Sequence, residues 1–317
     1  MSMTKTIIVA AALALAVTLP AAPAQAQAGR TFVSAAGNDS NPCTITLPCR
    51  NFEAAYMQTN ANGQIDALDP GNYGALTITG PVSIQGHGWA SMSAATGTAI
   101  IINAAGATDK IAISGVVLDG LGISGTNGIA FNSGGTLLVR DSVIRNFGND
   151  GILVDTDTSN PTHVFVSNTL VSDNGSDGIN FSSGGTGATA GVLSHVEMIN
   201  NVGDGLTITS ASGSAPTINV TVSDSVSANN TSEGIFANPA AGATVQVMVR
   251  NSTIAKNGSY GLVADSPGAT IRVTRSTITG NATAWLAANS GVVSSYADNN
   301  IDGDTNGDTA PPAIGYK

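Results

Sequence analysis

Basic residues are scarce in this sequence. Its 317 residues include 11 Lys and Arg against 21 Asp and Glu, a formal net charge of −10, and charged residues of both signs make up only 10%. A chain this acidic repels nucleic acid and anionic membranes, which demand the opposite sign. Aromatic residues are equally few, at 4%, and no run interleaves them with Lys or Arg, which removes the other mark of nucleic-acid binding. Cysteine is confined to Cys43 and Cys49, and no His lies near the pair to complete a zinc-type site. His87, His163 and His195 share no metal-ligand spacing, and neither a Ser-His-Asp arrangement nor a phosphate-cradling glycine loop occurs.

Long apolar runs are also missing, apart from "IIVAAALALAVTL" at Ile7–Leu19. Its 13 residues fall short of the roughly 20 a membrane span needs. With Lys5 before it and "AQA" at Ala24–Ala26 after it, the run reads as an export signal over residues 1–26. The mature chain then has no transmembrane segment and is secreted or periplasmic. Loss of Lys5 leaves 10 basic against 21 acidic residues, a net charge of −11. Export makes Cys43–Cys49 a disulfide, and so short a loop gains only about 2 kcal/mol in the chain-entropy model.

What the chain has in abundance is repetition. "SDNGSDGINF" from Ser172 returns as "INNVGDGLTI", "ANNTSEGIFA" and "AKNGSYGLVA". A second column holds Asp141, Asn168, His195, Asp224, Asn251 and Arg275, at spacings of 27, 27, 29, 27 and 24 residues. Gly151, Gly178, Gly205, Gly234 and Gly261 follow the first five at a constant ten residues, so insertions fall at one turn of each repeat. The runs within a repeat, such as "HVFVSNT" and "TVQVMVRNS", alternate with period two and are rich in Val and Thr. Three short strands per coil of a parallel β-helix account for this. Stacked coils turn aligned residues into columns. Asn174, Asn201, Asn230, Asn257 and Asn281 predict an amide ladder at a corner where Asn tolerates left-handed backbone. Phe131, Val154, Phe181 and Ile208 predict an inward stack.

Both ends of such a stack need covering. Phe52, Ala55, Tyr56 and Thr59 fall at helical spacing and predict a short N-terminal capping helix. "NNIDGDTNGDTAPPAIGYK" predicts a final coil blocked by prolines, with "DGDTNGD" as its Asn/Gly corner rather than a calcium loop, since Ala313 stands at the twelfth position. "TFVSAAGNDSNPCTITLPCRNFEAAY", followed by "ALDPGNYGALTITGPVSIQG", resembles the N-terminal segment of exported bacterial right-handed parallel β-helix repeat proteins of the pectate-lyase-like superfamily. The resemblance implies an all-β, single-stranded solenoid and its right hand. It leaves the activity open, because the superfamily holds lyases, hydrolases, epimerases and many members of unassigned function. The organisation expected is a signal over 1–26, a cap with the disulfide and helix over 27–64, and the β-helix over 65–317.

Asp150, Asp177, Asp204 and Glu233 each precede a repeat glycine. Acids about 5 Å apart on adjacent coils match the separation of a retaining glycosidase pair, making Asp177, Asp204 and Glu233 the catalytic candidates. Their recurrence in four coils, and the turn chemistry of Asp before Gly, favour a structural reading. Mutual repulsion predicts raised pKa values or weak calcium binding at the four acids. Asp150, Tyr260, His195 and Arg250 are the ligand-binding candidates, because Tyr260 and His195 break repeat columns and the repeat spacing puts Arg250 one coil from the Glu233 region. "GHG" at Gly86–Gly88 resembles a polygalacturonase motif, but the nearest match to that family's later Arg-Ile-Lys is Ile271-Arg272-Val273, and it reads as a turn. The function expected is a non-catalytic scaffold for an extracellular polysaccharide or envelope surface, with calcium as the sole conceivable cofactor. The alternatives are a polysaccharide lyase or glycoside hydrolase, and a structural or adhesive protein. Net charge disfavours polyanionic glycans unless calcium bridges them.

Overall fold

A computed structural model describes residues 27–93 and 97–316, so the export signal expected over 1–26 lies outside the described residues. Every strand pairing is parallel, and the strands stack into a β-solenoid of about ten turns. The 27-residue period corresponds to one coil. Strand Thr162–Ser172 pairs with Thr189–Ile199, and strand Ile179–Ser183 pairs with Leu206–Ser210. Residues 162–167 form face 1, residues 169–172 form face 2, and residues 179–183 form face 3. The connection from face 3 back to face 1 is the variable one, as at 184–188 and 211–216.

Three strands per coil was the expectation, and coils such as Thr136–Arg140, Val143–Arg145 and Ile152–Val154 have them. In Thr162–Ser172 and Thr189–Ile199 faces 1 and 2 run on as one bent strand. The bend is a single left-handed residue: Asp141, Asn168, His195, Asp224, Asn251 and Arg275 all have φ between 47° and 56°. Asp and Asn reach this conformation most easily among residues with a Cβ. Their side chains also bond along the column, with Asn168 Nδ2 donating to Asp141 Oδ1 at 3.2 Å. The face 2–face 3 corner begins with a second left-handed residue, Asn146, Asp173, Asn200, Asn229, Lys256 or Gly280. Left-handed backbone was expected at the ladder asparagines themselves. They lie one position later, with negative φ, because the preceding residue has already turned the chain.

The ladder runs the length of this corner. Each Nδ2 donates to the next Oδ1 from Asn174 through Asn201, Asn230 and Asn257 to Asn281, at 2.9–3.0 Å. Asp304 of "DGDTNGD" takes the following rung, accepting from Asn281 Nδ2 at 2.9 Å. Inside, Phe131, Val154, Phe181 and Ile208 stack in register and are fully buried.

Non-repeat segments occupy both outer edges. Cys43 and Cys49 form a disulfide whose loop pairs with the first strand: Phe32 N donates to Cys43 O at 2.8 Å, and Cys49 N donates to Phe32 O at 3.0 Å. The helix Phe52–Met57 buries Phe52 and Ala55, with Phe52 edge-on to Tyr73 at 5.3 Å. At the far end Ser295 N donates to Pro312 O and Ile314 N to Ser295 O, so the tail lies along the last face 1 strand. No helix among the described residues is long and apolar enough to cross a membrane.

Candidate functional site

The acid column stands just before face 3, and its geometry is that of a second ladder. Asp177 N donates to Asp150 Oδ1 at 3.0 Å, Asp204 N to Asp177 Oδ1 at 2.8 Å, and Glu233 N to Asp204 Oδ1 at 2.8 Å. Asn127 opens the series by accepting from Asp150 N at 3.0 Å. The second oxygens are engaged too. Asn180 Nδ2 donates to Asp150 and Asp177, Thr207 Oγ1 to Asp204 at 2.8 Å, and Ser259 Oγ to Glu233 at 2.9 Å. These carboxylates are therefore spent mainly on fixing the corner.

Burial sets their electrostatics. It pushes Asp177 above the ordinary carboxylate range, with Asp150 and Glu233 adding repulsion against the pull of the Asp204 N–H. Asp204 is pushed up to about 8, first by burial and then by the neighbouring Glu233 carboxyl, so it holds a proton at neutral pH. The raised pKa anticipated from sequence is found at Asp177 and Asp204, with burial rather than mutual repulsion as its first cause. Among the described residues no three His, Cys, Asp or Glu side chains group so as to hold a metal ion. The column lacks the converging oxygen cage that calcium takes, because its oxygens face backbone donors instead.

The other candidates are dispersed. Tyr260 continues the acid column, where its carbonyl accepts from Gly234 N at 2.8 Å. His195 is a face 1–face 2 corner residue whose Nδ1 contacts Ser194 Oγ at 3.0 Å. Arg250 lies at the outward end of a face 1 strand, paired in register with Ser223 and Thr274. It is not beside Glu233, which belongs to the corner before face 3.

Register places Arg250 in a different company, one that period counting had missed. Outward positions of face 1 run in three columns: Asp66–Gln85–Ser114–Arg140–Ser167–Ser194–Ser223–Arg250–Thr274, Arg30–Gln64–Ser83–Ala112–Leu138–Phe165–Val192–Thr221–Met248–Arg272–Ser294, and one that begins Lys110–Thr136–His163. With Lys110, this face carries five of the ten Lys and Arg after residue 26 and a single acid, Asp66. Asp66 is buried and paired to Arg30 at 2.7 Å, which holds it below the ordinary range despite burial. Lys110, Arg140, Arg250 and Arg272 have no ion-pair partner among the described residues. Between them Phe165 and Val192 stand 38% and 37% exposed. At the far end the tail builds one wall of a cleft of ≈ 630 Å³ lined by Met248, Arg272, Val292, Tyr296 and Ile314. The signal lay in "VRDS" and "VRNS", where Arg140 and Arg250 immediately precede the corner residue.

These columns belong to a solenoid of established kind. The family described as "Right handed beta helix region" matches residues 128–306, more than half of the chain, and the protein belongs to it. Among solved structures the pectate lyase Pel9A is similar over 86% of this chain and 69% of its own, at 15% identity and a TM-score of 0.52. The A-module of mannuronan C-5 epimerase AlgE4 from Azotobacter vinelandii is similar over 81% of this chain and 91% of its own, at 16% identity and a TM-score of 0.51. At such identities the likeness is one of fold, right-handed and pectate-lyase-like. No curated protein sequence matches the chain.

Proposed function

We propose that this is an exported, non-catalytic scaffold that binds an acidic extracellular or cell-envelope glycan along face 1. The observation that carries the reading is the segregation of charge. A chain with a net charge of −10 keeps half of the Lys and Arg after residue 26 on one face, and four of those cations have no ion-pair partner among the described residues. Net charge alone argues against a polyanionic partner, yet the local sign of this face is the opposite of the whole. Exposed apolar rungs between the arginines suit the carbon faces of sugar rings, and Ser, Thr, Asn and Gln on the same face supply hydrogen bonds. The neighbouring folds include a pectate lyase and a mannuronan epimerase, in keeping with a polysaccharide partner. In this reading residues 1–26 serve as the export signal, 27–64 hold the disulfide and the helix Phe52–Met57 and also lay the first rungs of face 1 through Arg30 and Gln64, and 65–317 carry the rest of the binding solenoid.

The test is a panel of neutral and acidic polysaccharides incubated with the mature protein, with chain length and co-elution followed by gel filtration. Acidic chains that co-elute unshortened, and are released by salt, are the expected result. Replacing Arg140, Arg250 and Arg272 together by Gln should weaken retention at least roughly tenfold. A proton held by Asp204 at neutral pH favours one second reading, a lyase or hydrolase using Asp177, Asp204 and Glu233. Shortened chains, abolished by Asp204→Asn in a folded protein, would establish that reading and overturn the scaffold.

A further inference from the structure

We propose that the loop Gly86–Trp89 is a sugar-stacking subsite at the N-terminal end of face 1, in which one pyranose ring of the bound glycan lies on the indole of Trp89. This rests on the glycan-binding reading above and adds to it a place and a ring. In the coils that follow, the bend between faces 1 and 2 takes a single residue, Gly115 and then the column from Asp141 to Arg275, while the preceding coil has four, residues 67–70 between Asp66 and Gly71, in register with Gly86–Trp89. Here Gln85 pairs with Ser114 and Ala90 with Val116, so four residues stand opposite Gly115 alone.

The insertion is anchored at its root and open at its tip. A Cβ on Gly86 would meet Gly115 O at 2.4 Å, whereas one on Gly88 would have nothing within 4 Å. His87 and Gly88 adopt left-handed backbone, with φ of 57° and 83°. Trp89 emerges from this turn 46% exposed. Its ring is 5.4 Å from that of His87 at a tilt of 34°. His87 is steadied from beneath, with Nε2 3.3 Å from Asp66 Oδ1, while Arg30 and Gln64 hold the same carboxylate. The loop therefore presents an oriented aromatic face beside two polar side chains, His87 and the exposed Arg30.

A large indole left in water forgoes the stabilisation of burial, and its recovery needs a ligand with an apolar surface. A pyranose offers one: its axial C–H bonds make one face apolar, and its rim hydroxyls meet the donors and acceptors around the indole. Trp285 shows the contrast. It packs against the core, and its Nε1 donates to Thr309 O at 2.6 Å, fixing the tail. The two tryptophans thus have separate environments, which makes the subsite directly observable.

The experiment uses a Trp285→Phe background, leaving Trp89 as the sole tryptophan. Uronate oligosaccharides and neutral oligosaccharides are titrated while emission is recorded, at low salt and at about 0.5 M salt. A saturable quench or blue shift with the uronate oligosaccharides is expected, moved to higher ligand concentration at high salt because the face 1 cations are screened, yet still saturable because stacking is not. Trp89→Ala should weaken binding roughly tenfold or more, Trp89→Phe should recover part of it, and both should melt with the parent. Retention of glycan with unchanged Trp89 emission, or with Trp89→Ala at parental affinity, would sink the subsite and leave the scaffold reading intact. Absence of binding to any glycan would remove both.

Discussion

Replacing Asp204 by Asn should stabilise the protein, and only above mildly acidic pH. In the folded chain burial and the Glu233 carboxyl push this group from an ordinary 3.8 up to about 8. The folded state therefore keeps the proton across a window in which the unfolded chain has released it. Stability must fall as pH rises through that window and level off above it. Four units at about 1.4 kcal/mol each set a ceiling near 6 kcal/mol. Asp177, also pushed upward by burial, shares the proton uptake, and the realised loss is on the order of 2 kcal/mol. Asn keeps the Oδ1 that accepts from Glu233 N and offers Thr207 a donor in place of an acceptor. Asn127 already fills the first place of the same column with that geometry. Thermal unfolding at pH 5 and pH 8.5 should show a gap between variant and parent of roughly 4–8 °C at the higher pH and little at the lower. Asp66, Asp69 and Asp119 titrate below the ordinary range, outside this window, since hydrogen bonds and Arg partners outweigh their burial. A parent whose stability rises from pH 5 to pH 8.5, or a gap that ignores pH, would refute the reasoning.

Other outcomes follow from the two ladders and the core. Asn230→Ala orphans buried donors and acceptors on both adjacent coils, since Oδ1 accepts from Asn201 and Nδ2 donates to Met198 O and Asn257, and should cost about 2–4 kcal/mol by denaturant titration. Asp304→Asn should gain about 1 kcal/mol, because Asp304 Oδ2 is buried without a partner where each preceding rung has an amide donor. Phe181→Ala, emptying the middle of the inward stack, should cost about 3–5 kcal/mol. His195→Gly relieves a left-handed histidine and should raise the melting temperature slightly while leaving glycan retention unchanged.

The period, the Asn ladder and the inward Phe131–Val154–Phe181–Ile208 stack were legible because in-register coils convert sequence spacing directly into columns. The same arithmetic misled at the corners. Counting places Asn174 at the turn, but only backbone geometry shows that Asp173, one residue earlier, is the left-handed one. Asp150 to Glu233 were recognisable as a column, yet each donates its own N–H to the side-chain oxygen one coil earlier, Asn127 for Asp150 and a carboxylate for the others, an offset that spacing does not encode. Face 1 escaped notice because its cations fall in different repeats and different columns. Trp89 escaped because its coil carries four residues where every coil from Gly115 to Arg275 has one, and so falls outside the repeat columns.

The Asn ladder has a direction, since each amide hands its hydrogen to the following coil. Asp304 can receive from Asn281 but has no amide to pass on. At the other ladder's origin, Asn127 accepts from Asp150 in the same fashion. The solenoid is in this sense a counted object: its interior rungs are interchangeable, while its terminal rungs are not. A duplicated coil spliced between Asn230 and Asn257 would find a donor below and an acceptor above. The same coil appended after Asp304 would meet a carboxylate that offers it nothing. The amide relay thus stops through a change of one side-chain atom, amide nitrogen to oxygen, at the rung beyond which the tail covers the last face 1 strand.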